Sequence, residues 1–584
     1  MVKLVFNIEA DVDLGQVVVL TGNCKELGNW LCNGVKPLQK SKDTKWKLEI
    51  DINCVAIGSA IEYRYAVCSF LTGADGQVNT IIHKWETHKQ PRNILLSGPS
   101  VVSNDGCFGV KDGIKCVRDG WLTDQSEVRF MLHSNPLEFT NIKEPSNVGF
   151  RVTANHIRQT TNNSLPIQVK AFNEDEYFAK TQSKSGKIYR NNEFVVFSSQ
   201  VLDVKNTVFK IEVLSSEDHE HVHICGHATV FGTNLTKTRD CVPCPVTNSN
   251  GDAIGILRVQ YVVIKPLPNC SSLCTFEKPY QWSSTGCLSI GHRGMGRSFK
   301  DTGLLVEIGI AKSAEKYIEN TIGAFKGATE AGAHMVEFDV HICKDRIPIV
   351  YHDYDVPVRL QKADDPDKHF EHKILLSDLT CDQLQQVQTT HTPVNADLKN
   401  DDRLFPPLAK VLNETPIHLA FNVEIKYPME QVNGISECPD YATDMSDLVD
   451  NTLQVLIEHA QNRKIVISSF DTDVCALLRL KQNRFPVMLI HCGPTEKYIA
   501  YSDPRITTVQ SAMYWIKGEQ LAGMVGHVDD YRNDDSVIPL LSKSNIHLFL
   551  WGEDNKNPVI VQDMMSKGVE GILTDDVTTL PQLT

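Results

Sequence analysis

The sequence lacks any apolar run near the roughly 20 residues that a membrane-spanning helix needs. Its first residues, Met-Val-Lys-Leu-Val-Phe, contain no apolar signal core and enter a strand pattern at once, so we expect no secretory signal. Positive charge is also scarce, because 58 basic residues face 72 acidic ones and leave a net charge of −14. That balance excludes general affinity for nucleic acid or anionic membranes.

Regularly spaced cysteine pairs are missing as well. The 17 cysteines are odd in number and scattered over a long chain, which favours reduced thiols over a disulfide framework. The single Cys241-Val-Pro-Cys244 pair has no second pair at zinc-ribbon spacing, so we interpret it as loop cysteines, with a metal or redox site as the alternative. Together these features predict a cytoplasmic protein.

The chain is long enough for three domains, and its 41% apolar and 22% charged residues are typical of globular proteins. Short alternating strand patterns fill residues 1–115 and 116–284, which predicts one or two β-sandwiches. From residue 285 to 584 strands alternate with helices, as in parallel α/β folds. The predicted fold class is therefore multidomain, with β-sandwiches followed by a (β/α)8 TIM barrel. Its candidate strands are 288–292, 335–340, 419–425, 465–469, 487–490, 507–511, 523–528, 546–551 and 571–574.

Polar residues concentrate near the first two of these barrel strands. An apolar run ends in His292-Arg293-Gly294, and the next strand, Met-Val-Glu-Phe-Asp-Val, places Glu337 and Asp339 on one face. Two like charges side by side are costly unless a cation lies between them. Oxygen-binding cations such as Mg²⁺ or Ca²⁺ suit such a pair.

Two neighbouring segments complete the pattern. Asn320 or Thr321 can cap a helix that Gly332 ends. After a turn, the apolar run that begins at Ile347 ends in His352. Because active sites of barrels lie at the carboxyl ends of their strands, we expect the two histidines to lie beside the carboxylate pair.

The order His-Arg-Gly, Glu-Asn-Thr, Glu-x-Asp and His-Asp resembles the glycerophosphodiester phosphodiesterase family. A later strand, Leu-Ala-Phe-Asn-Val-Glu-Ile-Lys at 419–426, matches the strand that carries the third metal carboxylate of the family. The resemblance implies that His292 and His352 are an acid/base pair and that Arg293 and Lys426 bind phosphate. It also implies that Glu337, Asp339 and Glu424 are the ligands of Mg²⁺ or Ca²⁺. It also implies metal-dependent hydrolysis of a glycerophosphodiester.

The order of the three regions resembles animal family members that hydrolyse glycerophosphocholine to glycerol 3-phosphate and choline. Recognition of choline calls for an aromatic cage, whose members the sequence does not identify. Two alternatives remain open. One is a glycan-associated adaptor with an inactive barrel, and the other is a lysophospholipase D that acts on lysophospholipids.

Residues 1–115 contain Leu-Gly-Asn-Trp30, Trp46, Tyr63 and Lys-Trp85-Glu, whose spacing resembles the family 20 starch-binding carbohydrate-binding module. The resemblance implies that Trp30 and Trp85 stack on sugar rings, that Trp46 is buried, and that glycogen or a starch-like glycan is a partner. The alternative is that all three tryptophans belong to the core.

A few other features have weaker interpretations. The middle region could resemble a C2-type domain, but without clustered aspartates we expect a structural role. The charged segment 359–404 is interpreted as an insertion or lid. Trp551 ends a strand, where it either walls the pocket or is buried. His491 and His527 also end apolar runs, and we interpret them as packing or rim residues. Asp575 ends a run that resembles the last strand of the phosphodiesterase family.

Overall fold

A computed structural model gives the structure of the chain in two compact units. The first comprises Met1–Ala171, Ala179–Gln281 and Arg479–Phe485, and the second comprises Phe172–Phe178, Trp282–Leu478 and Pro486–Thr584. The predicted boundaries at residues 115 and 284 stay a prediction. The structure describes residues 2–53, 55–73, 76–140, 145, 147–157, 164–190, 193–216, 222–278, 286–298, 317–362, 365–389, 400–495, 498–532, 534, 536–575 and 577–578.

The N-terminal part of the first unit contains a four-stranded and a six-stranded sheet. Alternate residues of its first strand, Val2, Leu4, Phe6 and Ile8, are buried in one apolar core, which explains the sequence alternation. This strand pairs antiparallel with Lys45–Ile52 and parallel with Ser100–Cys107. The strands are β1 Val2–Glu9, β2 Val17–Gly22, β3 Lys36–Pro37, β4 Gln39–Lys42, β5 Lys45–Ile52, β6 Ala60–Thr72, β7 Val78–Glu86, β8 Arg92–Leu95, β9 Ser100–Cys107, β10 Val110–Lys111, β11 Ile114–Lys115 and β12 Val117–Asp119.

The next part of the same unit is built on a single 11-stranded sheet with its own core. Cys241 and Cys244 lie within β22 rather than in a loop, which corrects the sequence interpretation. Cys244 is buried and Cys241 is exposed, because positions three apart face opposite sides of a strand. The strands are β13 Ser126–Leu132, β14 Leu137–Phe139, β15 Val148–His156, β16 Gln168–Ala171, β17 Lys180–Thr181, β18 Lys187–Ile188, β19 Val195–Val201, β20 Thr207–Ser216, β21 Val222–Phe231, β22 Arg239–Thr247 and β23 Ala253–Ile264, and a short helix, α1 Cys270–Leu273, follows.

The second unit contains a closed barrel of eight parallel strands in the order β24-β34-β33-β32-β31-β30-β29-β25, closed by pairing of β24 with β25. A ninth strand, β26, pairs antiparallel with β25 at its outer edge. The strands are β24 Leu288–Gly291, β25 Met335–Ile342, β26 Pro348–Val350, β27 Asp355–Lys362, β28 Asp365–Leu375, β29 Ala420–Ile425, β30 Ile465–Ser469, β31 Val487–His491, β32 Gly523–His527, β33 His547–Trp551 and β34 Gly571–Thr574. The TIM barrel predicted from the sequence is confirmed.

Helices alternate with the barrel strands and cover them, so strands such as β25 and β30 are buried along their whole length. Because the strands are parallel, their carboxyl ends meet at one edge of the barrel. The helices are α2 Ile322–Glu330, α3 Cys381–Gln386, α4 Leu408–Glu414, α5 Met445–His459, α6 Thr472–Lys481, α7 Val509–Glu519, α8 Asp529–Arg532, α9 Val537–Lys543 and α10 Pro558–Ser566.

One predicted barrel strand is wrong. The β-branched segment 507–511 was expected to be a strand, but it starts helix α7. Thr508 is the N-cap and forms a capping box with Ser511, in which each side chain bonds the backbone N–H of the other. Buried Trp515 and Ile516 then anchor the helix, so capping and burial override the strand preference of the threonines and valine.

The predicted lid segment, residues 359–404, is partly described. Strands β27 and β28 form an antiparallel hairpin there, and α3 follows it with a capping box at Thr380. Residues 363–364 and 390–399 of the predicted lid lie outside the described residues. A search of the described helices found none with the length and apolar character needed to cross a membrane.

Candidate active site

Three carboxylates meet at the carboxyl edge of the barrel. Glu337 and Asp339 come from β25, and Glu424 comes from β29, where it lies directly opposite Asp339 in the strand pairing. One oxygen from each of the three lies within 4.8 Å of the others. Burial, with the neighbouring charges of Asp339 and Glu424, raises the pKa of Glu337 well above its usual range. Such crowding of like charges calls for a cation.

The donor set fits a divalent, oxygen-binding ion. All three groups offer carboxylate oxygens, the ligand type that Mg²⁺ and Ca²⁺ prefer. Among the described residues, buried Oε1 of Glu337 and Oδ1 of Asn320 have no hydrogen-bond partner. Because buried polar atoms are nearly always satisfied, these two unpartnered oxygens indicate that the site binds a further group.

Two cationic side chains border the carboxylates. The guanidinium of Arg293 lies 2.7 Å from Glu319 and 3.7 Å from Asp339. The Nζ atom of Lys426 lies 3.1 Å from Glu424 and 3.9 Å from Asp339. Burial opposes the charge of Lys426, but the two carboxylates outweigh it and raise its pKa. Both cations therefore stay charged, and they can neutralise a phosphate held beside the metal ligands.

Each predicted catalytic histidine has a carboxylate on its Nδ1 atom. His292 follows β24 and lies 2.7 Å from Oδ1 of Asp575, while its Nε2 lies 3.8 Å from Glu337. His352 lies 2.6 Å from Oδ1 of Asp353. A carboxylate on Nδ1 fixes the ring and leaves Nε2 for proton transfer. Burial, together with the positive charges of Arg293 and Lys426, lowers the pKa of His352 well below its usual range.

The turn after β24 has an unusual backbone that serves this geometry. Arg293 and Asn320 adopt left-handed conformations, with φ of 50° and 57°. For residues other than glycine this costs about 1 kcal/mol or more, and hydrogen bonds offset it. The Arg293 N–H donates to Glu337 at 3.0 Å, and the Asn320 N–H donates to the Arg293 carbonyl at 3.0 Å. Gly294 is needed because a Cβ there would lie 2.8 Å from that of Ala324.

The structure brings together all seven barrel residues predicted from the sequence, and it adds positioning residues. Thr321, not Asn320, caps helix α2 by accepting from the Ala324 N–H. Asn320 instead donates to Asp339 at 3.0 Å. Glu319 holds Arg293 in place. The sequence motif contained Glu319 and Asn320, but spacing alone did not separate the residue that caps from the residues that face the site.

The weaker interpretations of the barrel edge divide as follows. His491 and His527 are buried, 0% and 3% exposed, in agreement with a packing role. Trp551 is half-buried at the end of β33, and its Nε1–H donates to the His491 carbonyl at 3.3 Å. The wall interpretation therefore fits Trp551 better than full burial.

The structure corrects the predicted sugar-binding tryptophans of the first unit. Trp30 and Trp85 are 7% and 2% exposed, and so are buried like Trp46, which is 5% exposed and whose burial was expected. The ring of Trp85 packs edge-on against Trp121 and Phe276 at 5.5 and 5.7 Å between centroids. The Phe276 N–H donates to the Trp30 carbonyl at 3.1 Å. Burial of large rings stabilises this core, so neither ring offers an open face to a sugar.

Comparison with family models gives one match for each of the three regions. Residues 1–97 match the starch binding domain, residues 122–268 match the GDE1-like C2 domain, and residues 292–579 match the glycerophosphoryl diester phosphodiesterase family. The last match spans the carboxylates and both histidines.

Known proteins resemble the chain over different shares of its length. A human glycerophosphocholine phosphodiesterase, GPCPD1, is 30% identical, covering 98% of this chain and 90% of its own. The Candida albicans glycerophosphocholine phosphodiesterase GDE1 is 26% identical over 60% of this chain and 33% of its own. A solved Thermotoga maritima glycerophosphodiester phosphodiesterase shares 20% identity over 51% of this chain and 97% of its own, with a TM-score of 0.33.

Proposed function

Because this chain belongs to the glycerophosphoryl diester phosphodiesterase family, we propose that its substrate is glycerophosphocholine, which it hydrolyses to glycerol 3-phosphate and choline. The enzyme is a glycerophosphodiester phosphodiesterase. The choice of head group is supported by the names of relatives that match nearly the whole chain, and cleavage is assigned to the carboxylate cluster at the barrel edge.

The proposed metal ligands are Glu337, Asp339 and Glu424, with Mg²⁺ or Ca²⁺ as the ion. A divalent ion bound there supplies a Lewis acid for the phosphate oxygens. Arg293 and Lys426 bind the phosphate and stabilise the negative charge that develops on it. Such electrostatic stabilisation is usually the largest contribution to the rate enhancement. The positive charges of the two side chains also let an acidic protein hold the anionic phosphate of the substrate.

His292 and His352 are proposed as the acid/base pair. During hydrolysis the bond between phosphorus and the choline oxygen breaks, and a bond from phosphorus to the attacking oxygen forms. The attacking group is a water molecule: one histidine takes a proton from it, and the other gives a proton to the leaving choline oxygen. Asp575 and Asp353 hold the two rings so that each Nε2 faces the phosphate.

The observation that carries this proposal is the burial of three carboxylates with mutually close oxygens and unsatisfied partners. Release of choline from glycerophosphocholine by purified protein, measured with Mg²⁺, with Ca²⁺ and with a chelator, tests it. We expect turnover with at least one ion, its loss on chelation and its recovery when the ion is restored. Full turnover in chelator would overturn the metal site.

Glu337→Gln keeps the shape of the side chain but removes its charge. Because even residues that only orient metal ligands contribute ten- to hundredfold, we expect a loss of about a hundredfold or more. Glu458→Gln, the same change at an exposed position of α5, is the matched control. A wild-type rate from Glu337→Gln, with melting temperatures equal to that of the control, would contradict the assigned site.

For the N-terminal region we infer a starch-like glycan as partner, supported by the starch binding domain match. The buried Trp30 and Trp85 move the expected contact to other surfaces of residues 1–115. Co-sedimentation of the full chain with glycogen tests this inference. If the same amount of protein sediments with and without glycogen, residues 1–115 do not bind the glycan. We also place the enzyme in the cytoplasm, since buried cysteines such as Cys68, Cys343 and Cys475 are free thiols.

A further inference from the structure

Four aromatic side chains cluster at the carboxyl edge of the barrel, and we call them the aromatic rim: Phe470, Tyr498, Tyr501 and Trp551. Phe470 follows β30, the two tyrosines lie in the segment after β31, and Trp551 ends β33. Ring centroids of Phe470 and Trp551 are 5.9 Å apart at 89°, and those of Tyr498 and Trp551 are 5.5 Å apart at 56°. All four residues are half-buried, so each keeps some access to solvent.

The aromatic rim lies next to the residues that hold the phosphate. The hydroxyl of Tyr498 donates to Glu553 at 2.9 Å, and Glu553 lies 3.3 Å from Arg297. Arg297 lies 3.0 Å from Asp575, the partner of His292. On the other side of the rim, the charge of Glu424 helps to raise the pKa of Tyr501, after burial and Glu437. A chain of contacts therefore links the rim to His292, and Tyr501 is close enough to Glu424 to feel its charge.

A carboxylate accompanies the rings. Tyr501 donates its hydroxyl proton to Oε1 of Glu437 at 2.6 Å, and Tyr354 approaches Oε2 of the same residue at 3.5 Å. Glu437 itself is exposed. Glu553 adds a second carboxylate, but Arg297 offsets its charge. The rim thus combines half-buried aromatic rings with net negative charge, on the same barrel edge as the cationic side chains Arg293 and Lys426.

This combination suits one chemical class of ligand. A quaternary ammonium group carries a full positive charge but no N–H donor, so hydrogen bonds cannot bind it. Aromatic faces attract it through their electron-rich centres, and nearby carboxylates strengthen the attraction. A neutral or hydroxylated head group would gain little from the same surface.

We propose that the aromatic rim binds the trimethylammonium group of the leaving choline and thereby selects the head group. The inference rests on the proposed function, because it assumes that the phosphate lies between the carboxylate cluster and the rim. Trp551 contacts both Phe470 and Tyr498, and Glu437 supplies the negative charge.

The test compares two glycerophosphodiesters, glycerophosphocholine, whose head group carries a trimethylammonium, and glycerophosphoglycerol, whose head group is uncharged and hydroxylated. For Trp551→Leu and Tyr498→Leu we expect the ratio of kcat/KM for choline over glycerol substrate to fall about tenfold. Leucine keeps apolar volume but removes the ring face. Melting temperatures identify a variant that fails to fold. If Trp551→Leu fails to fold, Tyr498→Leu still provides the test, because Tyr498 is only half-buried.

Equal losses on both substrates in the folded variants would overturn the aromatic rim while leaving the proposed function intact. Failure of the wild-type enzyme on both substrates would instead overturn the proposed function. In that case calorimetry with choline chloride tests the rim directly, without turnover. We expect choline to bind the wild type about tenfold more tightly than Trp551→Leu, and equal binding would overturn the rim.

Discussion

The two halves of the barrel mouth differ in chemistry. At the ends of β24, β25 and β29 lie ionised and hydrogen-bonding groups that are buried and bonded to one another, as Glu337 is to the Arg293 N–H. At the ends of β30 and β33 lie half-buried aromatic rings that contact each other edge-on. The first half can hold an ion and a phosphate, and the second can hold a hydrophobic cation. Cleavage and head-group selection are thus assigned to different residues, and substitutions should separate them.

The largest expected effect lies in the polar half. Arg293→Lys keeps the positive charge but loses the planar fork that contacts Glu319 and reaches towards Asp339. Loss of one hydrogen-bond donor that stabilises the charge of the transition state lowers kcat about a hundredfold or more. We therefore expect kcat of Arg293→Lys to fall by about that factor. The fall should be equal for glycerophosphocholine and glycerophosphoglycerol. A loss confined to the choline substrate would break the separation of the two halves.

A smaller effect is expected from Asp575→Asn, which loosens His292 without removing it. The pair is joined at 2.7 Å, and the amide can present the wrong group to Nδ1. We expect about a tenfold fall in kcat on both substrates. A p-nitrophenyl phosphodiester, whose leaving group needs no proton, separates the roles. Full recovery on it identifies His292 as the acid, and an undiminished deficit identifies it as the base. Wild-type kcat on the two glycerophosphodiesters would contradict any positioning role for Asp575.

The polar half was predictable from the sequence, and the aromatic half was not. Strand alternation places Glu337 and Asp339 on one face, and parallel pairing brings Glu424 beside them, so local pattern determines the geometry. Tyr498 and Tyr501 come from an irregular segment without periodicity, and their position depends on how that segment folds over the barrel edge. Only Trp551, at a strand end, gave a signal.

Trp85 is a second case in which the sequence did not predict the environment of an aromatic side chain. Its sequence context resembled an exposed sugar platform, but Phe276 and Trp121, from later parts of the chain, pack against it. Whether an aromatic side chain is a binding surface or part of the core depends on what covers it, and that contact is non-local. For the same reason the segment 507–511, with strand-like composition, became a helix once capping and burial acted on it.

The smallest effect sharpens the comparison within the aromatic half. Glu437→Gln removes the negative charge and keeps one acceptor oxygen, which can serve either Tyr501, now bonded to Oε1, or the Met429 N–H, now bonded to Oε2. An exposed charge contributes a fraction of a kcal/mol to about 1 kcal/mol, so we expect the choline-over-glycerol ratio of kcat/KM to fall about threefold. Because salt screens exposed charges, the fall in this ratio should be smaller at about 500 mM NaCl than at about 20 mM NaCl. Glu458→Gln is again the matched control. An unchanged ratio, or a fall that salt does not reduce, would show that the rings select choline without help from Glu437.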